Sequence, residues 1–88
     1  MSVLNVEIVT PSGILFNGVC NMAVVPSVEG DLGIMHGHEA VVAVLKEGVV
    51  KVYDEKQELV NSFDIVSGVA QIAEPGKLIV LLDDTKSA

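Results

Sequence analysis

The chain has one cysteine, no tryptophan, one tyrosine and two phenylalanines among its 88 residues, and its five basic residues are all lysine. Each scarcity excludes something. With Cys20 alone no intrachain disulfide can form, and nothing marks an oxidising compartment. Cys20 also sits in an apolar run, where a thiol is ordinarily buried and inert. The lack of arginine and a formal net charge of −7 argue against nucleic acid, whose binding rests on counterion release from clustered Lys and Arg. A basic partner is the natural complement. No apolar run approaches the ~18 residues of a membrane-spanning helix; the longest, Leu78–Leu82, is bounded by Lys77 and Asp83. The start, MSVLNVEIV, lacks a basic segment followed by an apolar stretch and a small-residue cleavage site, so an uncleaved cytoplasmic start with no membrane insertion is expected.

Aliphatic residues are plentiful. Half the chain is hydrophobic, with seventeen valines and six isoleucines. β-Branched side chains lose rotamer freedom in helices and pack well on pleated surfaces, so the reading is all-β. A single domain over residues 1–88 cannot hide this much apolar side chain, which implies an exposed apolar face covered by a partner.

The punctuation defines the strands. The segment from Val3 to Val9 alternates Leu4, Val6 and Ile8 against Asn5 and Glu7, and TPSG ends it. An apolar pattern from Ile14 to Val25 is broken at Gly18, predicting a bend between two sheets, and Pro26 stops it. After a loop over Glu29–Ala40, VVAVL and VVKVYD flank a turn at Glu47-Gly48 and read as a hairpin. YDEKQE is a second tight connection, LVNSFDIVSG a further strand, and VAQIAE with KLIVLL a closing hairpin around Pro75-Gly76. The final DDTKSA reads as a polar, frayed end. Turn signals every eight to twelve residues indicate a sandwich or barrel.

The segment EGDLGIMHGHEA, Glu29–Ala40, concentrates the chemistry. His36 and His38 at i, i+2 could share a side of an extended segment, but zinc needs three or four ligands, and Cys20, Asp31 and Glu39 match no ligand spacing. Exposed or backbone-bonded histidines are the plainer reading. A phosphate cradle needs a following helix, and none follows Gly37. Nucleophilic catalysis needs a Ser or Cys beside a base, and no spacing supplies one. No catalytic residue, metal or cofactor is expected. A competing class is the lipoyl or biotinyl carrier domain, but Lys46, Lys51, Lys56, Lys77 and Lys86 lie in none of the short motifs that carry such a lysine.

Taken in order, VEIVTPSGILFNG, VVPSVEGDLGIMHGHEAVVAVLKEGVVKV and SGVAQIAEPGKLIVLLDDT resemble the N-terminal β-sandwich domain of the epsilon subunit of F-type ATP synthase over nearly the whole chain. The most specific match is Gly30-Asp31-Leu32-Gly33-Ile34 followed by His36-Gly37-His38, where the family carries Gly-Glu-Leu-Gly-Ile and Pro-Gly-His. Asp31 retains the charge, His38 matches, and His36 stands in place of proline. Ser67-Gly68-Val69, Pro75-Gly76 and LIVLLDDT are similar to the family's closing strands.

The resemblance implies a flattened β-sandwich of about ten short strands. It also implies a non-catalytic central-stalk subunit that joins gamma to the ring of c subunits and turns with the rotor, on the cytoplasmic face of the bacterial inner membrane. On this reading Gly30 and Gly33 turn the backbone tightly, and Glu29, Gly30, Asp31 and Leu32 face the c-ring, whose family loop carries arginine. His38, Val41, Val42 and Ala43 face gamma. The family's C-terminal helical hairpin finds no counterpart before Ala88, so no inhibitory helices and no ATP site are expected.

Overall fold

A computed structural model describes residues 3–85. Among them there are eight strands and no helix: β1 (Leu4–Thr10), β2 (Gly13–Cys20), β3 (Met22–Ser27), β4 (Gly30–Met35), β5 (Val41–Leu45), β6 (Gly48–Tyr53), β7 (Leu59–Glu74) and β8 (Lys77–Thr85). Hydrogen bonding runs continuously in the order β2-β1-β8-β7-β5-β3-β4, with β6 bridging β3 and β7. The sheet folds over on itself into two layers.

β7 is the strand both layers share. Its first half, Leu59–Ile65, pairs with β6, and its second half pairs with β5 on one side and β8 on the other. One layer is therefore β2-β1-β8-β7-β5 and the other β7-β6-β3-β4. Eight strands stand where about ten short ones were expected, in part because β7 runs unbroken for sixteen residues. β3 closes a circuit by pairing with β6 and, through Ser27 opposite Leu45, with β5.

The core follows from period-two alternation. Leu4, Val6 and Ile8 on β1 meet Leu78, Val80 and Leu82 on β8, and across the gap lie Ala23, Val25, Ile34, Val50, Val52 and Ile65, all buried. β1 and β8 run parallel, from Asn5 opposite Lys77 to Val9 opposite Leu81. Phe16 of β2 and Phe63 of β7 close one side as a tilted pair with ring centres 5.7 Å apart.

Several sequence expectations are corrected. The break between β2 and β3 falls at Asn21, whose N–H donates to the Tyr53 carbonyl, while Gly18 stays in β2 opposite Val6. Pro26 lies inside β3 opposite Asp31 rather than ending the strand. β5 and β6 do not pair as a hairpin: β5 joins β7 in one layer and β6 joins β3 in the other, so Lys46-Glu47 crosses between layers. The backbone of Asp83–Thr85 continues β8 instead of fraying, and the rest of that tail lies outside the described residues. The β6–β7 and β7–β8 hairpins form as expected, with Gln57 and Gly76 at positive φ.

Candidate functional site

Half of the loop expected over Glu29–Ala40 is a strand, because Gly30–Met35 pairs with β3 residue by residue as β4. Only the Ser27–Gly30 reversal and residues 36–40 are connections. Gly30 has φ +124°, where an L side chain is strained, so the turn expected there is real. Gly33 makes no turn; it sits in β4 opposite Val24. The buried Ser27 hydroxyl accepts from the Glu29 N–H at 3.0 Å, and the Val28 N–H donates to the Val44 carbonyl at 2.9 Å. The hairpin tip is thereby fixed against β5.

This brings two groups of candidate residues together. Glu29, Gly30, Asp31 and Leu32 form one wall of a groove of about 400 Å³, and Val41, Val42 and Ala43 form the other. Glu29 and Asp31 are exposed. The β5 residues divide by parity: Val41 and Ala43 pack against the core, whereas Val42 and Val44 are 65% and 56% exposed. His38 stands apart from the groove. Its N–H donates to the Met35 carbonyl, and its Nδ1 bonds the Glu39 carbonyl at 2.9 Å.

His36 is backbone-bonded, as the plainer reading had it, but to a distant partner. Its Nδ1 bonds the Val3 carbonyl at 3.0 Å, and its ring sits where a Cβ on Gly76 would lie. The Gly76 carbonyl in turn accepts from the Asn5 N–H at 2.8 Å. His36 thus ties the end of β4 to the start of β1 and to the β7–β8 turn. The two histidine rings serve different carbonyls, and among the described residues no group of three or more His, Cys, Asp or Glu is arranged to hold a metal ion. Burial pushes the Cys20 thiol above its ordinary pKa, while a backbone hydrogen bond at Met22 pulls it the other way.

The exposed apolar face expected from the composition has a counterpart on the outer face of the five-stranded layer, where the sequence left open which strands compose it. Registers align Val44 with Val69, Val69 with Leu81, Leu81 with Val9, and Val9 with Ile14. The row crosses β5, β7, β8, β1 and β2 without a polar residue. Ile14, Val44 and Leu81 are exposed, and Val9 and Val69 are half-buried. Alternation within a strand marks its outward residues, but only the strand order shows that these five are neighbours.

Fold and surface define a class first: a small β-sandwich module whose distinctive features are an aliphatic outer face and an acidic hairpin tip. Residues 3–88 match the family described as ATP synthase, Delta/Epsilon chain, beta-sandwich domain, and the chain belongs to that family. Among curated proteins it is 38% identical over 82 residues to the ATP synthase epsilon chain of Parvibaculum lavamentivorans, covering 93% of this chain and 61% of that one. It is 37% identical over 86 residues to the epsilon chain of Campylobacter fetus, covering 94% and 63%. It therefore spans a little under two thirds of the length of these relatives. A chain in the cryo-EM structure of the Euglena gracilis mitochondrial ATP synthase (OSCP/F1/c-ring) shares the fold with TM-score 0.86 at 17% identity, over 98% of this chain and 54% of that one. A chain of the Tetrahymena thermophila mitochondrial ATP synthase central stalk and c-ring gives TM-score 0.74 at 17% identity, covering 96% and 66%.

Proposed function

We propose that the domain is a non-catalytic rotor element of a proton-translocating F-type ATP synthase, joining the gamma subunit to the ring of c subunits. On this proposal it lies peripherally on the cytoplasmic face of a bacterial inner membrane. The observation that carries the reading is the unbroken aliphatic row from Val44 to Ile14, a non-polar stripe across five strands outside the core. A torque-bearing contact needs many weak contacts spread over an area, and a flat sheet face provides them.

Gamma covers this row, with Val42 and Val44 at its β5 end and His38, Val41 and Ala43 supporting that end. The carboxylates of Glu29 and Asp31, with Gly30 and Leu32 behind them, meet a basic loop of the c-ring, where opposite charge sets register and orientation. The domain itself makes and breaks no bond. It transmits rotation between gamma and the ring.

Co-expression with the gamma subunit of the same host, followed by size-exclusion chromatography with light scattering, tests the reading. A stable one-to-one complex is expected. Separate migration under conditions where gamma is folded overturns it.

A further inference from the structure

Two carboxylates bracket the aliphatic row. Val9 and Leu81 are partners near its middle, on strands that run parallel. Glu7 lies two residues before Val9, and Asp83 lies two residues after Leu81. Their neighbours Val6, Ile8 and Leu82 are buried, so both carboxylates project from the outer face that carries the row. Because the strands are parallel, the two stand on opposite sides of it. Glu7 is level with Ile79, and the run of β8 from Ile79 to Asp83 spans about 13 Å at the usual rise per residue.

Glu7 is half-buried and belongs to a mixed row, Asn17, Glu7, Ile79, Gln71 and Val42, beside the aliphatic one. It lines a cleft of about 210 Å³ with Asn5, Val6, Asn17 and Lys77. Lys77 lies a step farther from the aliphatic row, where Glu74 opposes it in register. Asp83 is exposed, and its Oδ2 accepts from the Ser67 hydroxyl at 2.9 Å, which steadies the carboxylate beside the row.

A surface that settles on the row comes down over both carboxylates. Taking water from a carboxylate without supplying an opposite charge is costly, and this dictates the chemistry of the occupant. We infer that the surface of gamma covering the row is an aliphatic ridge with lysine or arginine on both shoulders, one meeting Glu7 and the other Asp83. On the reading that gamma covers this face, on which the pairing rests, apolar contacts alone leave the ridge free to slip along the strands. A charge on each side fixes its register.

Titration calorimetry of the chain against gamma of the same host, at low and at high salt, tests the pairing. Glu7→Lys and Asp83→Lys should each weaken binding by about tenfold. The double variant Glu7→Gln with Asp83→Asn, which keeps the side-chain shapes, should lose most of the salt dependence seen with the parent chain. Glu55→Lys makes the same charge change on the exposed β6–β7 turn and should leave the affinity near the parent value. Circular dichroism and Tm show which variants are folded, and should a reversal fold poorly, the salt dependence of the double variant decides. If Leu81→Lys abolishes binding while the Glu7 and Asp83 reversals do no more than Glu55→Lys, gamma sits on the row and the basic shoulders are refuted. If Leu81→Lys binds as the parent does, or the parent chain does not bind gamma, the assignment of this face to gamma fails and the pairing falls with it.

Discussion

At the scale of single residues, His36 and Gly76 form a coupled pair. Gly76 has φ +82° and no room for a Cβ beside the His36 ring, so Gly76→Ala carries backbone strain and displaces the ring. The strain alone is worth about 1–3 kcal/mol, and ring displacement adds to it. In a His36→Ala background only the strain remains, so a double-mutant cycle by urea unfolding should return a clear coupling. Equal costs of Gly76→Ala in both backgrounds would refute the packing argument. Cys20 provides a second residue-scale test. Because burial raises its pKa, the folded chain keeps the thiol proton after the unfolded chain has released it. Its contribution to stability is complete below the unfolded value of ~8.5 and is lost as pH rises from there through the folded value. Cys20→Ala should flatten the decline of Tm above that pH relative to the parent chain, and an identical slope in both would count against it. The sequence marked Cys20 as buried and both histidines as exposed or backbone-bonded; the particular partners of His36, Val3 and Gly76, could not be read, because they are far away in the chain and meet it only through the topology.

At the scale of elements, β7 governs the architecture through one small residue. A Cβ on Gly68 would run into the Leu81 carbonyl and press on Leu82, and a main-chain atom cannot swing aside. The register shifts between Ile65 and Gly68 fall at the same place, where β7 leaves β6 and enters the five-stranded layer. Gly68→Ala should therefore cost about 3 kcal/mol, near the top of the ordinary range for single substitutions. Full thermal stability in that variant would show that the strand can shift there freely. Most strands were legible because alternation such as Leu4, Val6, Ile8 against Asn5, Glu7 reports burial directly. Partnership was not. VVAVL, a turn and VVKVY have every local mark of a hairpin, yet β5 and β6 belong to different layers. Turn residues encode a reversal, while the choice of neighbour is made by side chains on β3 and β7. Pro26 misled for a related reason: proline removes one ladder donor, and its place in β3 tolerates that loss.

At the scale of the whole molecule, the two proposed attachments occupy different surfaces and should separate by mutation. Leu81→Lys places a charge in the middle of the aliphatic row and should abolish the complex with gamma. Asp31→Lys should leave that complex intact and weaken retention of the c-ring in a pull-down, increasingly so at low salt, where opposed charges are least screened. Neither residue is in the core, so Tm should stay near the parent value in both; a large drop in either would make the binding result uninformative about contact. The parallel pairing of β1 with β8 carries one further consequence, for synthesis. Leu4, Val6 and Ile8 emerge from the ribosome early, but the strand that flanks them, Lys77–Thr85, is translated some seventy residues later, about 4–15 s at ordinary elongation rates. Until then β1 has β2 on one side and no partner on the other, so the five-stranded layer cannot close before the last strand of the domain is made.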